Sequence, residues 1–417
     1  MSFRILKGIS PAFFASLLLC VTASAAGARD FRVAFVGDPQ VDDSTELDYA
    51  RRTVYRELRE SRDIDLAVIM GDVVNDRPEL MAPSRASLDS LPFPYLCIPG
   101  NHDERETFLR TFGYMDTTFV AVRSCGKWEL LPDSDKGVRF ILMNNNRDDR
   151  SSGLSEGQKL WLSGIIASAP QSQEIVLATH VPLKYCKGRD SLYAIVGQHP
   201  RLLLVSAHLH QVFRSDIAVK DGVEVEEIGV GATCGSWWRG VREPALIRGA
   251  AAVEKRGTVP NARMNCGAPR GYFIVDFSRD GSYRSHYKAV GRDAADQFSL
   301  RSEGDSLFVN AYGGHVNGKV ELEMRGRDGR KIRVKCRRTD NIAPEVRDII
   351  RYNDSFSRKE RRRRRGDFIP MRRLASPHLW SCAVPEGIVI GGDTEVRVIY
   401  SDRTMSFSGK VTPERRD

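Results

Sequence analysis

Histidine is scarce in this chain, with eight among 417 residues, so any imidazole chemistry must come from a handful of positions. Cysteine is equally sparse at eight, and no pair stands in a C-x-x-C spacing, which leaves a cysteine-based zinc site without support. Long apolar runs are missing too, apart from Ile9–Val21 near the start. That run follows Arg4 and Lys7 and leads into the small residues Ala23–Ala28, the pattern of a secretory signal over residues 1–26. Leu19 stands where a lipidated Cys20 would need a small residue before it, so cleavage after Ala25 to Ala28 is expected. The mature chain is then exported, periplasmic or secreted, with no transmembrane segment. Seven cysteines remain in it, an odd number read as mostly buried free thiols.

Charge is unevenly spread. From residue 297 onward there are 26 Lys and Arg against 17 Asp and Glu, which accounts for the whole net charge of +9. Much of the excess is the run Arg358-Lys359-Glu360 and Arg361–Arg365. It lacks the interleaved aromatics that stack on bases, which argues against nucleic acid. A solvated insertion between strands is the favoured reading of residues 358–365, and attraction to an anionic envelope surface is the alternative.

What the chain has is a series of apolar runs, each short enough for a strand and each ending in a polar ligand type. Phe31–Val36 ends at Gly37-Asp38-Pro39-Gln40, and Leu66–Met70 ends at Gly71-Asp72, with Asn75 and Asp76 beyond. Pro94–Ile98 ends at Pro99-Gly100-Asn101-His102-Asp103. Val138–Met143 leads into Asn144-Asn145-Asn146, Glu174–Thr179 into His180, and Leu202–Ser206 into Ala207-His208-Leu209-His210. Continuous apolar runs fit strands buried on both faces, and open α/β sheets gather ligand sites at the carboxyl ends of their strands. Tyr49–Arg62 predicts one helix, and Ser155 with Gln158 predicts a capping box opening a helix through Ile166. Carboxylates, imidazoles and an amide oxygen make a mixed N/O set suited to manganese, iron, zinc or magnesium. They are too many for one tetrahedral ion and about enough for two, which could share a bridging hydroxide and clamp a phosphoryl displacement.

Taken together, Gly37-Asp38-x-Gln40, Gly71-Asp72-x-x-Asn75, Gly100-Asn101-His102-Asp103, His180 and Ala207-His208-x-His210 resemble the motif blocks of calcineurin-like metallophosphoesterases. The resemblance implies a four-layer α/β/β/α sandwich over residues 30–290 with a dinuclear metal site. Carried over by position, Asp72 bridges two divalent ions; Asp38 and His210 complete one site, and Asn101, His180 and His208 the other. His102 then contacts the phosphoryl group or protonates the leaving oxygen. Three positions depart from the family pattern. Gln40 replaces a histidine ligand, Asn75 replaces a carboxylate that orients the catalytic imidazole, and Ala207 replaces a glycine. Asp76 and Asp103 are the two candidates to take over from Asn75.

Adjacent Trp237 and Trp238 either pack on the sheet or present aromatic surface to a substrate; with Asn75 and Arg270 they are the candidate substrate contacts. From about residue 297 the strands shorten and alternate, predicting a smaller all-β, sandwich-like domain over 297–417. This region resembles the C-terminal domain of exported bacterial calcineurin-like enzymes through Tyr287-Lys288-x-x-Gly291, Phe308-Val309-Asn310 and His378-Leu379-Trp380. The functional expectation is metal-dependent hydrolysis of a phosphate mono- or diester on a small-molecule or lipid substrate. A nucleotide- or lipid-linked diester or pyrophosphate is the first alternative. A non-catalytic envelope-binding protein with a degraded metal site is the second.

Overall fold

Alternation of side chains within the apolar runs decides the layering. In the computed structural model, residues 31–113, 121–125, 138–147, 151–219, 222–240, 242–243, 259–278, 280–326, 329–391 and 394–416 are described. The expected signal segment 1–26 lies outside them. In chain order the first thirteen strands are β1 (Phe31–Val36), β2 (Leu66–Ile69), β3 (Tyr95–Cys97), β4 (Ala121–Cys125), β5 (Val138–Met143), β6 (Glu174–Thr179), β7 (Leu202–Ser206), β8 (Val212–Ala218), β9 (Glu224–Val230), β10 (Arg242–Glu243), β11 (Val259–Pro260), β12 (Gly271–Phe277) and β13 (Tyr283–Ala289). They build a five-stranded sheet ordered β13-β12-β1-β2-β3, a six-stranded sheet ordered β4-β5-β6-β7-β9-β8, and the small pair β10-β11. β1, β2 and β3 run parallel in the first sheet, as do β5, β6, β7 and β9 in the second. Their carboxyl ends therefore fall along one edge of each sheet.

Residues of β5 show how the sheets stack. Val138, Phe140 and Leu142 join the core shared with β1 and β12, and Phe140 packs on Phe31, Phe35 and Phe277 at ring separations of 6.2 to 6.4 Å. Ile141 and Met143, pointing the other way, join a second core with Leu162 and Ile166 of α5 (Glu156–Ala167) and Leu192 and Val196 of α6 (Arg189–Val196). The preceding helices, α1 (Ser44–Arg52), α2 (Val54–Glu60), α3 (Met81–Leu88) and α4 (Arg105–Phe112), contribute Leu47, Tyr55, Leu58, Met81 and Phe108 to the first core. The result is a four-layer α/β/β/α sandwich. α5 opens on the capping box of Ser155 and Gln158. The helix expected over Tyr49–Arg62 is instead two, broken at Thr53, whose backbone sits at φ −113° and ψ −95°.

The remaining strands are β14 (Phe298–Glu303), β15 (Ser306–Ala311), β16 (Lys319–Arg325), β17 (Lys331–Arg338), β18 (Leu379–Ala383), β19 (Val396–Ser401), β20 (Ser406–Val411) and β21 (Glu414–Arg416). They form one continuous order, β20-β19-β16-β17-β18-β15-β14-β21. The Phe298 ring of β14 lies stacked on Phe407 of β20, 5.7 Å away, although β20 begins that order and β14 stands one strand from its other end. The sheet therefore curls toward a barrel instead of splitting into two flat layers. The Arg-rich insertion is helical: α7 (Pro344–Asp354) buries Val346 and Ile350, and α8 (Arg358–Arg363) starts at a capping box of Ser357 and Glu360 with all its residues exposed. Among the described residues no helix is long and apolar enough to cross a membrane.

Candidate metal and catalytic site

Eight non-glycine residues among those described have positive φ, and five of them are Asp38, Gln40, Asp72, His208 and His210. L-residues adopt this left-handed conformation at a cost, and it concentrates where a fold must aim side chains that regular structure would point elsewhere. Close approach of the turns is equally specific. A Cβ on Gly100 would stand 2.0 Å from Asp72 Oδ1 and 2.1 Å from Asp72 N, so only glycine lets the third turn lie against the second.

Asp72, His180 and His208 bring one ligand atom each to within 4.8 Å of one another. His180 Nε2 is 3.3 Å from Asp72 Oδ2 and 3.1 Å from Asn101 Oδ1. The other ring nitrogen of His180 donates to the Met70 carbonyl at 2.8 Å, and His210 Nδ1 donates to the Gly235 carbonyl at 2.9 Å. Both histidines are thus held in the tautomer that leaves Nε2 free to ligate, the usual arrangement around a protein-bound metal. The His102 N–H fixes Asp72 Oδ1 at 2.8 Å, and the His208 N–H fixes Asp38 Oδ2 at 3.2 Å. Asp38 Oδ1 is buried with no hydrogen-bond partner. An orphaned buried carboxylate oxygen beside Asp72 and three imidazoles fits a ligand of a cation.

The electrostatics agree. Burial, then the nearby His180, press His208 down to about 4, and burial holds His210 at about 4, so both rings stay neutral and able to ligate. Burial alone would lower His180, but Asp72 and then Asp38 raise it to about 9. Burial raises Asp72, yet His180 outweighs it and holds the carboxyl near 2. Asp38 is pushed well up by burial. Asp72 and His180 thus pair as carboxylate and imidazolium, and a divalent cation bound there would displace the imidazolium proton.

The remaining predicted residues divide. Gln40 is buried; its Nε2 donates to Asn75 Oδ1 at 3.2 Å, which leaves its carbonyl oxygen as the atom able to ligate. Asn75 is thereby paired with Gln40 and not with His102. Asp76 takes the orienting place instead, with Oδ2 2.9 Å from His102 Nδ1. Asp103 is turned inward, accepting from the N–H groups of Val73, Val74 and Gly100. Trp238 is 2% exposed, donates to the Pro39 carbonyl at 2.8 Å and carries the Arg270 guanidinium over its ring at 4.7 Å. Trp237 packs on His210 at 5.0 Å. Trp238 thus packs on protein partners, the first of the two readings expected for the tryptophans, and none of the three residues lines the cavity beside the ligands.

In front of the ligands opens a cavity of about 690 Å³ lined by Asp76, Asn101, His102, Arg105, Asn144, Asn146, Arg147, Ser151, Ser152 and His208, with Phe108 and Leu109 on one wall. Asn144, Asn146 and the two serines were not assigned from sequence. The strand-end Asn144-Asn145-Asn146 run was the available signal, but an asparagine triplet at a strand end reads as a turn. Asn145 does serve the turn, holding Val181 N–H and C=O through its amide.

Comparison with known proteins gives the following. Residues 31–212 match the family described as Calcineurin-like phosphoesterase, and residues 227–405 match the one described as C terminal of Calcineurin-like phosphoesterase. A glycerophosphodiester phosphodiesterase GpdQ of Enterobacter lignolyticus is 27% identical over 160 residues, covering 36% of this chain and 56% of that protein. A probable glycerophosphodiester phosphodiesterase GpdQ of Arcobacter nitrofigilis is 27% identical over 161 residues, covering 36% and 57%. The chain thus spans about half the length of these curated relatives. Similar solved structures include purple acid phosphatase PPD1 from yellow lupin seeds (TM-score 0.41, 13% identity, 62% of this chain and 51% of that one). A 5'-nucleotidase from Candida albicans aligns with TM-score 0.37 and 10% identity, over 62% of this chain and 52% of its own.

Proposed function

The chain belongs to the calcineurin-like phosphoesterases, and from that premise we propose that it hydrolyses phosphodiesters whose leaving group is a small polar alcohol. The observation carrying this reading is the convergence of Asp72, His180 and His208 beside a cavity lined by His208 and by the His102–Asp76 pair. We assign two divalent ions, one to Asp38, Asp72 and His210 with Gln40 beside them, the other to Asp72, Asn101, His180 and His208. When bound, such ions supply Lewis acidity toward the phosphoryl oxygens and lower the pKa of an attacking water. Asp72 is held at both oxygens, by the His102 N–H and by His180, so it cannot swing out of the shared position. His102 keeps Nδ1 on Asp76 and turns Nε2 to the cavity, where it delivers a proton to the departing alkoxide. Asp76 fixes the ring and supports the imidazolium before that transfer, the task Asn75 cannot perform. Asn144, Asn146, Ser151 and Ser152 offer hydrogen bonds to a hydroxylated leaving group, and Arg105 and Arg147 face a second anionic or polar substituent.

The name of the GpdQ relatives supports the diester reading over the monoester one. Turnover of bis-p-nitrophenyl phosphate and p-nitrophenyl phosphate, after reconstitution with manganese, zinc, iron or magnesium, tests it. Faster diester turnover is expected; a clear preference for the monoester would replace this reading with a phosphatase. We further read the chain as exported through its first 26 residues, with the exposed α8 arginines available to an anionic envelope surface.

A further inference from the structure

The second group of strands holds a pair of thiols that the metal site does not use. Across β17 and β18, Arg337 stands opposite Ser381 and Arg338 opposite Trp380. One step further along the same antiparallel ladder, Cys336 faces Cys382, as close as cross-strand neighbours come. Their sulfur atoms approach to 3.1 Å, in contact. Both residues are partly exposed, while Cys97, Cys186, Cys234 and Cys266 are buried.

We propose that Cys336 and Cys382 form a disulfide when the protein meets a disulfide oxidant, whether a low-molecular-weight disulfide or an oxidised dithiol protein. The thiolate of Cys382 attacks one sulfur of the oxidant and expels the other as a thiolate. The thiolate of Cys336 then attacks Cys382 Sγ in the mixed disulfide and expels the second. Two electrons and the two thiol protons pass to the oxidant, which leaves as two thiols. Cys382 is the first nucleophile because the Cys336 S–H donates to it and holds its pKa below the ordinary thiol value. Burial raises the pKa of Cys97, Cys186, Cys234 and Cys266, which keeps those thiols inert. One pair with the other cysteines unpaired also accounts for the odd number left after the signal segment.

The position gives the bond a purpose. β17 and β18 are the seam between the halves β20-β19-β16-β17 and β18-β15-β14-β21, and its register is short, with Arg337–Ser381 and Arg338–Trp380 paired beside the two cysteines. The chain joining them contains α7 and α8, the whole Arg-rich insertion. A bond at Cys336–Cys382 closes that insertion at its base and clamps the seam, with the largest benefit against the unfolded chain.

The test is oxidation of the purified mature chain with oxidised glutathione, followed by iodoacetamide alkylation, intact mass and peptide mapping. It requires neither export nor hydrolase activity, so its outcome is separate from both readings. Expected are a mass loss of about 2 Da, a cross-linked Cys336–Cys382 peptide and no retained glutathione. The oxidised protein should melt roughly 5 °C or more above the reduced one. In Cys336→Ser the melting difference should vanish and a glutathione adduct should persist on Cys382. Alkylation of both cysteines after oxidation, or a glutathione adduct that persists on the wild type, would overturn the proposal.

Discussion

His102 has one ring nitrogen committed to Asp76 and the other facing the cavity, and that division sets the behaviour of two variants. His102→Gln should lower kcat by roughly 10²–10⁴-fold on diesters with alkyl leaving groups. The loss should be much smaller on p-nitrophenyl esters, whose leaving group needs no proton; equal losses on both would remove His102 from the acid role. Asp76→Asn should cost roughly tenfold in kcat on the same alkyl diesters while leaving the metal content unchanged, because an amide orients the ring without supporting its charge. Gly100→Ala acts through packing: its Cβ would meet both the side chain and the backbone of Asp72. That variant should bind less metal and melt lower, read by metal analysis and calorimetry. The convergence of Asp72, His180 and His208 was legible in the sequence because each follows an apolar run. The partner of His102 was not, since Asp76 and Asp103 are equally plausible by chain position. Only the fold shows Asp103 spent on three backbone N–H groups, where burial lifts its carboxyl to about 6.

Elements buried on both faces were read from sequence almost residue for residue, as β5, β6 and β7 illustrate. β8 was missed because its sequence, VFRSDIA, looks like a surface segment. Its Arg214 is in fact fully buried, paired with Glu226 and Asp402. The break between α1 and α2 was invisible for another reason: helical periodicity continues across Thr53, whose hydroxyl nevertheless bonds the Tyr49 carbonyl at 2.6 Å and ends the first helix. At the start of β18 a buried histidine sets a pH response. His378 donates Nδ1–H to Asn310 at 2.6 Å, and its Nε2 has no partner. Burial lowers its pKa to about 3, against 6.5 for the free side chain. The unfolded chain therefore binds the proton first, and stability falls as pH drops from about 6.5 toward 3. His378→Gln should flatten that slope in urea titrations at pH 7 and pH 4.5; an unchanged slope would show that the ring is accessible to protons.

At the scale of the molecule, Arg214 ties the sandwich to the curled sheet. Its guanidinium reaches Glu226 at 2.7 Å, Asp402 at 2.7 Å and Thr404. Removing one member of a buried ionic group leaves the others uncompensated, so Arg214→Ala should cost about 3–5 kcal/mol. It should also expose the link between the two groups of strands to limited proteolysis. The two-part organisation was legible from the change in strand length and from the charge that begins near residue 297. The curling of the second sheet was not, because the stacking of Phe298 on Phe407 joins residues more than a hundred positions apart. The helices α7 and α8 were hidden by an arginine run that reads as solvated chain, although Ser357 and Glu360 carry a capping box.

Under the proposed function, five strand ends assemble a metal centre that cleaves phosphodiesters. The decisive measurement is the metal content of the purified protein, with bis-p-nitrophenyl phosphate turnover measured on the same sample and on Asp72→Ala and His208→Ala. Close to two ions per chain, and loss of turnover in both folded variants, is the predicted result. A folded wild type that retains no ion and shows no turnover with manganese, zinc, iron or magnesium would contradict it.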